Sequence, residues 1–175
     1  MGTFVQEFAI RHIRHNGHLA SLTAGTLAFP CSIGPAGISW NKKEGDGKTP
    51  AGRWPLRYVM YRPDRVLRPA TALPVVPLTP KLGWCDDPGS SHYNSLVSLP
   101  FNASHEKMWR DDRLYDLVVV LGHNDAPPVA GKGSAVFMHL WRPDEGPTQG
   151  CIALSKRHLL HLLKIAAPET LDSVS

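Results

Sequence analysis

The stretch FMHLWRPDEGPTQGCIALS, residues 137–155, decides the fold because it sets two strand-like segments on either side of a turn-rich loop. Its first part completes the apolar run Ala135–Trp141, and its last part is the apolar segment that follows Gly150. The loop between them, RPDEGPTQG, contains two prolines and two glycines, which favour turns and interrupt helices. We therefore predict two adjacent strands joined by this loop.

His139 and Cys151 lie in this stretch, twelve positions apart. On adjacent strands the imidazole and the thiol would lie within hydrogen-bond reach, as nucleophilic catalysis requires. A free thiol has a pKa of about 8.5, so an imidazole that accepts its proton raises the thiolate fraction. Gly150 would let a substrate carbonyl approach the backbone, where N–H groups near Cys151 can stabilise an oxyanion. Taken singly, the two residues could equally be a buried structural thiol and a core histidine; their joint placement favours catalysis.

Further short apolar or alternating runs, bounded by Gly, Pro and Asp, predict more strands. The segment Arg62–Pro80 is punctuated by prolines, which favours a surface loop over sheet interior. The 15 glycines and 16 prolines also favour a turn-rich architecture over a helical bundle. The additional predicted strands are His18–Leu22, Trp54–Val59 and Leu117–Leu121.

One helix is predicted after Ser155, which can cap it, because three leucines follow at helical spacing. These are Leu159, Leu162 and Leu163, and Pro168 lies just beyond the expected end. A second, short helix is a weaker prediction for Ser104–Arg110.

Length and composition limit the class of protein. With 175 residues, 42% of them hydrophobic, the chain fits a single domain over residues 1–175. The net charge of +4 comes from scattered Lys and Arg, which gives little support to nucleic-acid binding. No apolar stretch approaches the length of a membrane span. The first residues also lack the apolar core of a signal peptide, so a cytoplasmic location is the expectation from the sequence alone.

The signature around the nucleophile resembles that of a known family. After His139 come Thr148, Gln149, Gly150, Cys151 and Ile152, which is similar to the His, Ser/Thr, variable residue and Gly-Cys pattern of the L,D-transpeptidase catalytic domain, also called YkuD-type. Segments 42–56, 83–94, 121–140 and 147–155 resemble a proteobacterial branch of this family. The resemblance implies a mainly β fold, a YkuD-like β-sandwich of mixed sheets with one or two short helices.

The resemblance also implies a reaction. Cys151 would attack the amide after the meso-diaminopimelate of a peptidoglycan stem peptide, release D-Ala and leave a thioester that the amine of a second stem resolves. His139 would act as base and then acid, held by a backbone carbonyl such as that of Leu140. No metal or organic cofactor is implied. The substrate implies work in the periplasm or cell envelope and a carbapenem target, although no signal peptide is visible.

Two positions depart from the family pattern and leave the bond formed open. Members that make the commonest cross-links usually carry His where this chain has Gln149, and Arg or Asn where it has Ala153. The link could therefore join two diaminopimelates, or L-Ala to diaminopimelate. The sequence is also compatible with hydrolysis by an L,D-carboxypeptidase or endopeptidase, and with a non-catalytic wall-binding module.

Several polar and aromatic residues are candidate substrate contacts. His123 and Asn124 could stand in for the missing histidine near the thiol, or could form a turn. Arg142 could meet the diaminopimelate carboxylate or be a solvated loop charge. Thr148, in the signature, is a further candidate contact. Trp84, Asp86, Tyr93 and Asn94 combine aromatic faces with polar groups, a mixture suited to gripping a peptide or a sugar, although the two aromatics could equally serve in packing.

The remaining cysteines and histidines carry weaker signals. Cys31 and Cys85 could form a structural disulfide or be two buried thiols. His12, His15 and His18 would align as metal ligands only on a helix, and Asn16 with Gly17 favours a turn there. We therefore predict no metal site.

Overall fold

The computed structural model describes residues 6–12, 17–167 and 170–175, and so the predicted turn at Asn16, with His15, and the helix-ending Pro168 lie outside the described residues. Within these ranges the chain forms fourteen strands and one helix, which confirms the expected mainly β architecture with a short helix. In chain order they are β1 Glu7–His12, β2 Leu19–Ala24, β3 Leu27–Ser32, β4 Ile38–Ser39, β5 Thr49–Pro50, β6 Gly52–Tyr61, β7 Val75–Pro77, β8 Leu82–Cys85, β9 Ser95–Ser98, β10 His105–Lys107, β11 Leu117–Leu121, β12 Phe137–Leu140, β13 Ile152–Leu154, α1 Lys156–Ile165 and β14 Leu171–Val174.

Nine strands form the main sheet, in the order β11-β12-β13-β3-β2-β1-β14-β6-β7. Its pairs are parallel for β1 with β14, β12 with β13 and β6 with β7, and antiparallel elsewhere, so the sheet is mixed. Because β11 also pairs with β6, eight of the strands form a closed circuit around a common interior. Closure removes the free sheet edges that β11 and β6 would otherwise expose to other chains.

The large core fills the interior of this circuit. Strands from all round it contribute apolar side chains, and α1 adds Leu159, Leu162 and Leu163. Successive residues of a strand point to opposite faces, so Leu117, Val119 and Met138 join this core.

A smaller core lies on the opposite face of β11 and β12. It contains Val118, Val120 and Phe137, which alternate with the residues of the large core. The antiparallel sheet of β10, β8 and β9 covers it, with Trp84 packed against Phe137 at 4.9 Å between ring centroids. Cys151 belongs to this smaller core.

The helix begins as predicted. The side chain of Ser155 accepts a hydrogen bond from the backbone N–H of His158 at 3.2 Å, which satisfies one of the free donors of the first turn. The second helix, predicted for Ser104–Arg110, is wrong: His105–Lys107 is β10, because its backbone pairs with residues 83–85 of β8. Pairing with a distant strand outweighs a weak local preference.

The other strand predictions agree with the structure within two residues at each end for the runs that became β2, β11 and β12, and Trp54–Val59 lies inside β6. The segment Arg62–Pro80 is only partly the expected loop, since it contains β7 on an edge of the main sheet. Cys31 and Cys85 are both buried and do not form a disulfide with each other. Among the described residues no helix has the length and apolar character to cross a membrane.

Candidate active site

The nucleophile candidate lies at the entrance of a strand. Cys151 directly precedes β13, which runs parallel to β12 with Met138 beside Ile152, so the predicted adjacency of the two strands is confirmed. The backbone N–H of Phe137 donates to the Cys151 sulfur at 3.4 Å, and the thiol donates to the carbonyl oxygen of Ala135 at 3.1 Å. The thiol is therefore held between two backbone groups of the neighbouring chain.

His139 lies on the same face of β12 as Phe137, two residues further along. Its Nδ1 is 2.7 Å from the carbonyl oxygen of Leu140, which is the contact expected from the sequence. A carbonyl can only accept, so Nδ1 carries the proton and Nε2 is left with the lone pair that a base needs. The ring of Tyr115 contacts the imidazole edge-on at 5.4 Å and restricts its orientation.

The turn before Cys151 has room only for glycine at position 150. Gly150 has φ of +124°, and a Cβ there would lie 2.6 Å from the carbonyl oxygen of Lys48. Thr148 fastens the same turn: its hydroxyl donates to the carbonyl of Cys151 at 2.6 Å and accepts from the N–H of Gly150 at 3.1 Å. The conformation of this turn thus fixes the position of the Cys151 backbone, from which the thiol extends.

Cys151 and His139 open into one cleft of about 390 Å³. Its walls include the nucleophile loop 146–151, the loop around Lys42, and a charged wall that begins in β10 and continues after it. That wall contains Glu106, Arg110 and Tyr115. Among the described residues no group of three His, Cys, Asp or Glu side chains is placed to hold a metal ion.

Burial keeps the resting thiol and imidazole neutral. It raises the pKa of Cys151 to about 12, an effect that the charge of Glu106 reinforces and that the Phe137 N–H and Lys42 oppose. Burial lowers the pKa of His139 to about 4, against the opposing hydrogen bond to Leu140. Desolvation penalises both charged forms, so transfer of the thiol proton to His139 stays a prediction for the reaction itself.

The charged wall is a connected network. Burial raises the pKa of Glu106, while a hydrogen bond from Tyr115 and the charge of Arg110 oppose this. The guanidinium of Arg110 lies 4.9 Å from the centre of the Tyr115 ring and forms a two-point contact with Asp112. Arg110 binds Asp112 more closely than Glu106: its guanidinium lies 3.6 Å from the carboxylate of Glu106. The wall therefore places a carboxyl group, a phenol and a cation beside His139.

Lys42 supplies a buried cation on the other side of the nucleophile. Only 7% of the residue is exposed, and its ammonium donates to Asp46 and to the carbonyl of Lys43. Its Cε would be 3.6 Å from a Cβ on Gly150. The cation thus lies directly behind the turn that carries Cys151.

Six of the residues predicted from the sequence line the cleft together. Asp86 has a buried Oδ1 atom with no hydrogen-bond partner in the part of the chain that is described. Arg142 is 58% exposed and pairs with Asp144 at 3.3 Å. With these two, the predicted residues that line the cleft are Cys151, His139, Gly150 and Thr148.

The other five predicted residues lie behind the cleft walls. The Nε2 of His123 is 3.0 Å from the carbonyl of Lys132, and Trp54 meets its ring at 4.7 Å, so it does not replace the missing histidine beside the thiol. Asn124, with φ of +51°, fastens its own loop through Val129 and Gly133.

The aromatic pair and Asn94 are internal. Trp84 donates its indole N–H to Asn94 at 3.0 Å. The hydroxyl of Tyr93 donates to Glu44 and accepts from the N–H of Gly133 at 3.1 Å. All three residues are buried, and none of them lines the cleft.

Sequence reasoning missed most of the charged lining. Lys42, Glu106, Arg110 and Tyr115 were not singled out as site residues. The segment HEKMWRDDRLYD, residues 105–116, nevertheless carries an unusual density of charged and aromatic residues in a chain that is only 19% charged. That density is a signal for a polar wall at the edge of a core.

Comparison with known proteins gives one match. The family model of the L,D-transpeptidase catalytic domain, YkuD, matches residues 14–174. A search of curated proteins and a search of solved structures each gave no match. The match spans nearly the whole chain and includes the cleft with its Gly-Cys turn. The chain belongs to the L,D-transpeptidase catalytic domain family.

Proposed function

We propose that this chain is a peptidoglycan L,D-transpeptidase that uses Cys151 as nucleophile and His139 as general base and acid. The observation that carries the proposal is the shared cleft: a thiol and an imidazole with its Nε2 lone pair free lie on the same face of two paired strands. Family membership supplies the reaction class, acyl transfer.

The first half-reaction forms a thioester. The thiol proton passes to Nε2 of His139 as the sulfur attacks the carbonyl of the donor stem, because both groups start neutral. The C–N bond then breaks, and the imidazolium returns the proton to the leaving amine. In the donor with a terminal D-Ala, that amino acid leaves and the acyl group remains on the sulfur.

The second half-reaction transfers the acyl group. An amine of a second stem attacks the thioester, His139 takes the proton of the amine, and the sulfur leaves and regains a proton. Diaminopimelate to diaminopimelate and L-Ala to diaminopimelate links differ only in the donor carbonyl. Gln149 and Ala153 line the cleft, which supports an acceptor side that differs from that of family members with His and Arg or Asn there.

Substrate contacts belong to the same proposal. Asp86, Arg142 and Thr148 line the cleft and are kept as direct contacts. His123, Trp84, Tyr93 and Asn94 are buried or tied within the walls, so we propose that they shape the site from behind, whereas the side chain of Asn124 fastens its own loop. The substrate assigns the chain to the cell envelope.

The second candidate activity is hydrolysis, in which water replaces the acceptor amine and the chain is an L,D-carboxypeptidase or endopeptidase. The first half-reaction is then the same. Two carboxyl groups that line the cleft, those of Glu106 and Asp86, support transfer, because they can attract an acceptor amine, which then loses a proton before it attacks.

The test is to incubate the protein with sacculi and then digest them with a muramidase for mass spectrometry. We expect new cross-linked dimers with release of D-Ala, and a covalent carbapenem adduct in the intact mass. Both should disappear in Cys151→Ala and persist in Cys85→Ala, a matched control for a buried thiol away from the cleft.

New monomers without new dimers would identify a hydrolase. If the folded protein gave neither an adduct nor any change in muropeptides, the proposed enzyme activity would be wrong, and a non-catalytic wall-binding module would remain as the alternative.

A further inference from the structure

The side chain of Asn94 uses its whole hydrogen-bonding capacity. A primary amide has two acceptor positions on oxygen and two N–H donors. The oxygen accepts from the indole of Trp84 and from the backbone N–H of Ala135, both at 3.0 Å. The nitrogen donates to the carbonyls of His123 at 3.0 Å and Asn124 at 2.8 Å. Such a group is built into the protein and has nothing left for a substrate.

These four bonds join three separate segments. Trp84 belongs to β8, His123 and Asn124 form the turn after β11, and Ala135 precedes β12. Asn94 itself has φ of +56°, a region in which asparagine is among the few tolerated residues other than glycine. The backbone therefore favours an asparagine where the amide is also needed.

Ala135 connects this amide to the nucleophile. It has φ of +51°, which is strained for alanine and persists only where neighbours hold it. Its N–H is held by Asn94, and its carbonyl oxygen accepts the thiol of Cys151 at 3.1 Å. Two residues on, Phe137 donates its N–H to the same sulfur.

We infer that Asn94 is a positioning residue for Cys151, acting through Ala135 to hold the backbone groups that orient the thiol. The inference rests on the proposed role of Cys151 as the nucleophile. Asn94 does not line the cleft, so its effect on substrate is indirect. Its loss should slow the chemical step while leaving substrate binding nearly unchanged.

Asn124 provides a matched control. It also has positive φ, +51°, and its amide makes three hydrogen bonds, one fewer than that of Asn94: they go to the N–H and carbonyl of Val129 and to the carbonyl of Gly133. None of them involves Ala135. Asn94→Gly and Asn124→Gly therefore remove similar amides at similar backbone angles, and only the first releases Ala135.

The experiment measures alkylation of Cys151 by iodoacetamide from about pH 7 to about pH 10, with Cys151→Ala as the background, together with transfer kinetics and Tm. In Asn94→Gly the carbonyl of Ala135 no longer holds the thiol proton. We expect alkylation about threefold or more faster at each pH, kcat lower by about tenfold and KM within about twofold. Glu106, Lys42 and Arg110, the charged groups that face the thiol, are the same in both variants.

In Asn124→Gly we expect a lower Tm with alkylation and kcat within about twofold of the unmodified chain. Equal effects of the two variants, or an unchanged alkylation profile in folded Asn94→Gly, would overturn the inference.

A further variant covers a failure to fold. Asn94→Asp keeps the acceptor oxygen for the N–H of Ala135. Its second oxygen faces the carbonyls of His123 and Asn124, so the buried acid stays protonated and donates to one of them, and Ala135 continues to hold the thiol proton. Alkylation should then stay at or below the unmodified rate, and an increase would contradict the inference. Because alkylation needs no peptidoglycan, an altered profile in a protein without transfer activity would sink the proposed function and leave the positioning role standing.

Discussion

The two faces of β12 and β13 differ in their surroundings: one packs into the large core and the other meets the cleft. On one face Met138, Leu140, Ile152 and Leu154 point into the large core. On the other face, His139 and Cys151 meet the cleft, one residue away from side chains that do nothing but pack. Burial does not distinguish the faces, since Met138 is 1% exposed and His139 is 6% exposed. What differs is the presence of polar partners and an opening to substrate.

The largest effect should come from exchanging neighbours on one strand. His139→Ala removes the proposed general base and should lower the transfer rate by about 10²–10⁴-fold. The loss of stability should be smaller than for a core truncation, because His139 lines the cleft and water can fill the vacated space. Met138→Ala should cost about 2–5 kcal/mol of unfolding free energy through a cavity, with the rate per folded molecule nearly unchanged. Transfer kinetics and urea unfolding of both variants measure this difference.

If Met138→Ala slowed the chemistry as strongly as His139→Ala in fully folded protein, the division between the two faces would be broken. Met60, which is buried in the smaller core, offers a second packing residue for comparison. Met60→Ala should resemble Met138→Ala in stability.

Acid should lower the free energy of unfolding through the buried imidazole of His139 on the cleft face. Burial lowers the pKa of His139 from 6.5 to about 4, so between these values the unfolded chain binds a proton that the folded chain excludes. Stability is therefore complete above about pH 6.5 and falls as the pH drops toward 4, by about 3 kcal/mol from this residue. Urea unfolding across this range should show the decline, and His139→Gln should remove part of it.

The rest of the decline has a second source. Burial also lowers the pKa of His123. In His139→Gln, this second histidine therefore still lowers the free energy of unfolding as the pH falls. A slope identical in the unmodified chain and in His139→Gln would show that the imidazole is not desolvated as described.

The smallest effects should come from the two charges on either side of the thiol. The negative charge of Glu106 raises the pKa of Cys151 and the positive charge of Lys42 lowers it. Glu106→Gln should therefore speed alkylation of Cys151 by about three- to tenfold, and Lys42→Met should slow it by a similar factor. Lys43→Met is the control for Lys42→Met, since Lys43 is exposed and its side chain lies outside the cleft lining. If Glu106→Gln and Lys42→Met changed the alkylation rate of Cys151 in the same direction, this arrangement of charges would be contradicted.

Local patterns were sufficient for several elements around the proposed catalytic pair. The continuous apolar run Leu117–Leu121 is buried on both faces and needed no knowledge of its partners. Ser155 and the leucine spacing of α1 specified a cap and a buried stripe within ten residues. The Gly-Cys turn was identified for the same reason, since its requirements are those of its own backbone.

Contacts between distant segments were beyond the reach of local patterns. β10 exists because β8 offers it a partner, and the same pairing turns Glu106 toward the cleft. From the sequence, Trp84 and Asn94 were expected to contact substrate, because an aromatic ring and a polar amide suit a binding site as well as they suit internal packing. Only the four bonds of Asn94 distinguish these uses, and three of them span about thirty or more residues.

The burial of Cys151 also determines how the protein withstands oxidation. Peroxides and disulfides react with thiolates, and a thiol whose pKa is raised to about 12 offers very little thiolate at neutral pH. In the mechanism proposed above, the sulfur becomes reactive when a bound carbonyl and His139 allow its proton to leave. We therefore expect the thiol of Cys151 to resist oxidation at neutral pH in the absence of substrate.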